Sequence, residues 1–158
     1  MYVEGCFVHR MSFSECCAMH ASRKANLCLN AIPDISYDAC GASSHACKSV
    51  VYTCIVNEYD TLRIPLTVSH GIDFILFTDN PSKYEKQDFW KVRPIPLELC
   101  NLSPIKMQRA LKICPHRYLR EYSISIWVDG NIQIKDDLNK FIQMYDLTRT
   151  SLYVRKHP

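Results

Sequence analysis

Apolar positions along the chain change their period several times, and each change marks an element. Ser49 to Val56 (SVVYTCIV) is a β-branched apolar run of strand length with no polar alternation. Such a run predicts a strand buried on both faces, as in a parallel sheet. Asn57-Glu58-Tyr59-Asp60 ends it as a loop. Ile72 to Thr78 (IDFILFT) predicts a second strand, entered by Gly71 and closed by Asp79-Asn80-Pro81. Trp90 to Ile95 predicts a third, short strand, which Pro94 confines to an edge. Ser103 and Pro104 suit the N-cap and first position of a helix. Met107, Ala110, Leu111 and Cys114 then form its apolar stripe, and Pro115 ends it. Tyr122 to Val128 predicts a fourth strand, with Tyr122, Ile124, Ile126 and Val128 on one face. It runs into Asp129-Gly130-Asn131 and a short extended piece, Ile132 to Ile134. Asp136 and Asp137 open a second helix, with Leu138, Phe141, Ile142 and Tyr145 as its stripe. Ser151 to Arg155 predicts a last strand. Strands alternating with helices predict an α/β fold.

Composition narrows the function classes. The chain has 158 residues, 47% hydrophobic and 22% charged, which suits one globular domain rather than a disordered or fibrous chain. A formal charge of +3 is too small and too dispersed for a nucleic-acid binder of this size. No apolar run reaches the roughly 18 residues of a membrane span. The N-terminus lacks the basic start and long apolar stretch of a signal peptide, so the default compartment is cytoplasmic. The four glycines, at 5, 41, 71 and 130, form no phosphate-binding loop.

Cysteine usage divides the chain near Lys48. Six of the nine cysteines (Cys6, Cys16, Cys17, Cys28, Cys40 and Cys47) fall in residues 1–47, and Cys54, Cys100 and Cys114 in the rest. Residues 1–47 carry three basic and four acidic side chains, against sixteen and twelve in residues 48–158. Weak apolar periodicity predicts a poorly ordered extension with free thiols. Two alternatives stay open. Cys17-x-x-His20 and His45-x-Cys47 offer zinc-type ligands without a zinc-finger spacing, and an oxidising compartment would permit disulfides.

The chemistry concentrates at the end of the fourth strand. Open α/β sheets bind ligands beyond the carboxyl ends of their strands. Asp129 and Asn131 there offer two oxygen donors suited to a hard divalent cation, Mg²⁺ or Mn²⁺, facing phosphate. The same residues also make an ordinary turn. Arg109 and Lys112 lie off the apolar stripe of the first helix and read equally as solvated charges, and Trp127 reads as a packing residue.

Together VVYTCIVNEYDTL, IDFILFTDN, KMQRALKICPHRYL, YSISIWVDGNIQIKDDL and the terminal KHP resemble a glycosyltransferase-like family with bacterial polysaccharide and plant cell-wall and mucilage members. The resemblance covers about residues 48–158 and stops where the family's second half would begin, implying a truncated domain. It implies a Rossmann-like, GT-A-type sheet that binds a nucleotide-sugar donor through Mn²⁺ or Mg²⁺ and passes the sugar to a hydroxyl of a carbohydrate acceptor. Asp129 and Asn131 then correspond to the metal-binding Asp-x-Asp motif, with His157 of the terminal Lys-His-Pro as a further candidate ligand. Thr53, Tyr59 and Asp60 would lie near the base and ribose, with Asp79 and Asn80 beside them. Arg109 and Lys112 would face the diphosphate or sugar. Where the family has a Gly-containing loop after the first strand, this chain has Glu58, which is expected to crowd the nucleotide or repel its phosphates. Two other functions follow from the same features. One is a non-catalytic relic or interaction module. The other is a metal-dependent hydrolase, since one family branch is associated with ceramidase. Plant relatives are expected in the Golgi.

Overall fold

A computed structural model describes residues 7–10, 48–144 and 152–154, the first and last of these segments as backbone only. Among the described residues six strands form one sheet: β1 (Phe7–Arg10), β2 (Ser49–Ile55), β3 (Ile72–Thr78), β4 (Lys91–Pro94), β5 (Ile124–Trp127) and β6 (Leu152–Val154), in the order β4-β3-β2-β5-β1-β6. The four strands β4, β3, β2 and β5 are mutually parallel. β1 runs antiparallel to β5, pairing Phe7 with Trp127, and β6 runs antiparallel to β1. Phe7–Arg10, which the sequence assigns to the N-terminal extension, is thus paired into the sheet of the second segment.

Burial of both faces explains the unbroken apolar runs of the central strands. Every residue of β2 is buried, and in β3 only Asp73 is partly exposed. One face carries Val51, Ile55, Phe74, Leu76, Ile126 and Val128. Leu138, Phe141 and Ile142 of helix α3 (Leu138–Gln143) cover it, together with Tyr84 and Trp90. The opposite face carries Val50, Tyr52, Cys54, Ile75, Phe77 and Trp127. It is covered by Met107, Ala110 and Leu111 of helix α1 (Pro104–Ile113), by Tyr118 of the short helix α2 (Pro115–Tyr118), and by Leu119 just beyond it. The result is an α/β domain with helices on both sides of a mostly parallel sheet. Full burial of a side chain such as Leu111 or Leu119 contributes about 1.5–3 kcal/mol.

Local chemistry sets the element ends, with some departures from expectation. Asp137 caps α3, its carboxylate accepting from the Asn139 N–H at 3.0 Å. Ser103 holds the N-cap position of α1 through its carbonyl, which accepts from the Met107 N–H at 3.0 Å; its hydroxyl makes no capping bond. Pro115 ends α1 but also starts α2, because a proline at a first helical position lacks only an N–H that would be unpaired there. Tyr122 does not share a face with Ile124. Strand β5 begins only at Ile124, and the Tyr122 hydroxyl reaches Asp73 at 2.6 Å from the α1 side of the sheet. Ile132 to Ile134 forms no strand, although the Ile134 carbonyl accepts from the Leu66 N–H at 2.9 Å. Tyr145 lies outside the described residues.

Candidate functional site

Strand order locates the site before any side chain is considered. From β2 the chain moves to β3 and β4 on one side, while β5 packs on the other. The carboxyl ends of β2 and β5 therefore flank a topological switch point, where open parallel sheets leave a crevice. The chain leaves β2 through Val56 to Asp60 and leaves β5 through Val128 to Asn131.

The β2 exit is a tight turn. The Tyr59 N–H donates to the Val56 carbonyl at 3.3 Å, and both central residues, Asn57 and Glu58, have positive φ, 53° and 54°. Asn tolerates this region, but a Glu there is strained and must be held by its surroundings. Glu58 forms an ion pair with Lys83 at 2.7 Å and accepts from the Asn80 amide at 3.4 Å. The hydrogen bond from Lys83, and then its charge, hold the Glu58 carboxyl below its usual range, and Glu58 in turn raises the Lys83 ammonium. The Asn57 N–H donates to Asp79 Oδ2 at 2.9 Å. Asp79 and Asn80, predicted as donor ligands, are thus braces that tie the β3 exit to the β2 exit. Glu58 is paired with this brace and does not line the cavity described below.

The β5 exit is built around Trp127. Its ring is fully buried and meets Tyr52 edge to face at 5.2 Å between centroids. The indole N–H donates to Asp129 Oδ1 at 2.8 Å, and Lys112 Nζ reaches the same oxygen at 3.2 Å. The ammonium also stands 5.3 Å from the Trp127 ring centroid, and the Tyr52 hydroxyl donates to the Lys112 carbonyl at 3.3 Å. Of the two helix cations singled out by sequence, Lys112 therefore reaches Asp129. Arg109 lies on the exposed side of α1.

Gly130 brings the two exits into contact. It does not have positive φ; the reason for glycine is space. A Cβ at this position would stand 2.9 Å from the Asp60 Cβ and 3.0 Å from Ile55 Cγ1. Gly71, by contrast, sits at φ +76° in open space, so its glycine serves backbone conformation. The close approach sets Asp60 beside Asp129. Partial burial, and then the charge of Asp129, raise the Asp60 carboxyl above its usual range.

A cavity of about 340 Å³ opens beside the β2 exit. Ile55, Val56 and Asp60 form one wall, and Pro104, Ile105 and Gln108 from the first turns of α1 form the other. Its size falls at the lower end of small-molecule sites, about 300–1,000 Å³. Tyr59, also in its lining, is 90% exposed, and Ile105 is 62% exposed, so apolar surface continues outward from the mouth.

The predicted residues thus separate into groups. Asp60, Asp129 and Lys112 come together, and Tyr59 lines the adjoining cavity. Thr53 is buried in mid-strand, where its hydroxyl has no hydrogen-bond partner among the described residues, so it does not face the cavity. Asn131 is exposed on the turn beyond Gly130. His157 and the zinc-type residues Cys17, His20, His45 and Cys47 lie outside the described residues. Sequence reasoning missed the Asp60–Asp129 pairing and the role of Trp127. The Trp127 contact had a signal, since positions two apart on a strand share a face. The carboxylate pairing had none, because it depends on which strand neighbours β2.

The oxygen donors suit a hard divalent cation. Burial, and then the charge of Asp129, raise the cost of ionising Asp60, and Mg²⁺-type ions commonly use one or two carboxylates plus substrate phosphate. Among the described residues no group of three or more His, Cys, Asp or Glu side chains could hold a metal, so a closed all-protein site of the structural zinc type is not formed there. No helix among the described residues is long and apolar enough to cross a membrane. No family model, curated protein or solved structure matches this chain.

Proposed function

We propose that the chain is a Rossmann-like, GT-A-type nucleotide-sugar-binding domain that transfers a sugar to a carbohydrate hydroxyl. The observation that carries this reading is the pair Asp60 and Asp129 at the switch point between β2 and β5, beside a ligand-sized cavity. Asp60 and Asp129 would hold Mn²⁺ or Mg²⁺, with Asn131 as an outer oxygen donor. The cation would neutralise the diphosphate that leaves the sugar. Lys112 adds positive charge beside Asp129. Tyr59 and Ile105 offer apolar surface to a planar base at the cavity mouth.

Thermal melting in Mn²⁺ with nucleoside diphosphates tests this reading. A ligand that binds only the folded state stabilises it by about 2.7 kcal/mol at a concentration of 100 Kd. The shift should appear in the wild-type chain and vanish in Asp129→Ala. An equal shift in both, or none with any common nucleotide, defeats the proposal.

One observation favours a second reading, binding without transfer. Among the described residues, Asp60 is the only carboxylate or imidazole in the cavity lining, and the Cys54 thiol there is pushed up to about 12 by burial and the Asp79 charge. Nucleotide-dependent stabilisation without donor hydrolysis or transfer would select this reading.

A further inference from the structure

Asp129 is held more tightly than a metal-binding carboxylate at a strand end needs to be. Its Oδ1 receives both the Trp127 indole N–H, at 2.8 Å, and Lys112 Nζ, at 3.2 Å. Among the described residues no hydrogen bond reaches its Oδ2. The donors are themselves fixed. Trp127 is fully buried against Tyr52, and Tyr52 is tied to the backbone of α1 at Lys112. The indole N–H has no rotational freedom once its ring is packed, so it aims at one oxygen and defines the carboxylate plane.

This asymmetry has a coordination consequence. With two donors on Oδ1, a cation approaching Asp129 meets one available oxygen. Mg²⁺-sized ions accept single-oxygen carboxylates in an octahedron at about 2.0–2.1 Å, whereas Ca²⁺ takes about 6–8 oxygens and commonly draws both from one carboxylate. We propose that Trp127 is a positioning residue that makes Asp129 a one-oxygen ligand and thereby selects a small octahedral cation over Ca²⁺. The inference rests on the cation reading of the Asp60–Asp129 pair and goes beyond it by assigning the choice of ion to a buried indole N–H. The Lys112 ammonium is a point charge that opposes all cations alike. The discrimination belongs to the rigid donor.

Titration of the purified full chain with Mn²⁺ alone and with Ca²⁺ alone, by calorimetry and by the Mn²⁺ electron-spin signal, gives the ratio of the two affinities. The wild-type chain should prefer Mn²⁺. Trp127→Phe removes the donor but also leaves a packing gap, so a second variant carries 3-benzothienylalanine at position 127, which keeps the bicyclic shape and replaces the N–H by sulfur. In either folded variant, checked by near-ultraviolet circular dichroism, the preference for Mn²⁺ should fall by about tenfold, equivalent to about 1.4 kcal/mol. An unchanged ratio in the benzothienyl variant overturns the inference. So does a wild-type chain that binds the two ions equally, a result that would leave the Asp60–Asp129 cation site standing. A wild-type chain that binds neither ion overturns the site itself.

Discussion

Gly130→Ala tests the contact that joins the two halves of the site. The new methyl would lie 2.9 Å from the Asp60 Cβ, 3.0 Å from Ile55 Cγ1 and 3.2 Å from Ile55 Cδ1. Carbon atoms prefer about 3.5–4.0 Å, so the closest neighbours must retreat by about 0.5–1 Å. Neither can do so cheaply. The Asp60 Cβ is one bond from the backbone, and Ile55 is buried in the central strand. Overpacking of this kind costs about 1–3 kcal/mol, and each kcal/mol lowers the melting temperature of a chain this long by about 2–4 °C. Urea unfolding of the single variants, and of the double variant with Ile55→Ala, isolates the contact. Truncating Ile55 removes two of the three clashing atoms, so Gly130→Ala should cost less in that background, with a coupling of about 0.5–1.5 kcal/mol. The Mn²⁺-dependent stabilisation should also weaken in Gly130→Ala, because Asp60 is displaced from Asp129. Wild-type stability in Gly130→Ala, or strict additivity in the cycle, would refute the packing argument.

Two further outcomes follow from groups away from this contact. The Lys91 ammonium, and then the Tyr122 hydroxyl, hold the Asp73 carboxyl below its usual range. Its stabilising effect is therefore complete above the unfolded value of about 3.9 and is lost as pH falls through the lower folded value. Tyr122→Phe should flatten the acid limb of a urea-midpoint profile between pH 2 and 5; an acid limb as steep as that of the wild type would contradict this. Solvent screening keeps the effect small, since the Asp73 side chain is 37% exposed. Thr53→Val removes a buried hydroxyl that has no partner among the described residues and should raise stability by about 1 kcal/mol, leaving nucleotide-dependent stabilisation unchanged. A loss of that stabilisation would return Thr53 to the binding site.

Most of the parallel framework was legible because its cause is local. The apolar runs at Ser49 to Val56 and Ile72 to Thr78 admit few readings other than buried strands, and Pro94 marks an edge. The caps were only partly legible. Ser103 occupies the expected position without using its hydroxyl, because residue type restricts a position and does not fix a rotamer. The site was less legible than the fold. Asp129 at a strand end could be read from one segment, whereas Asp60 joins it through pairing between elements far apart in sequence. Asp79 and Asn80 show what one segment leaves open. Polar residues at a strand exit suit a ligand, yet here the strained Asn57-Glu58 turn takes both as its supports.

Placing Phe7–Arg10 beside β5 has a consequence for how the protein is made. During synthesis these residues emerge more than a hundred residues ahead of their partners at Ile124 to Trp127, so the strand must wait unpaired. The quartet β4-β3-β2-β5 can zip up ahead of it. Until β1 docks, the quartet presents a bare flank of backbone donors and acceptors, the kind of surface that captures other nascent chains. Trimming the first ten residues would make that interval permanent, and the burden would fall on solubility before it reached ligand binding.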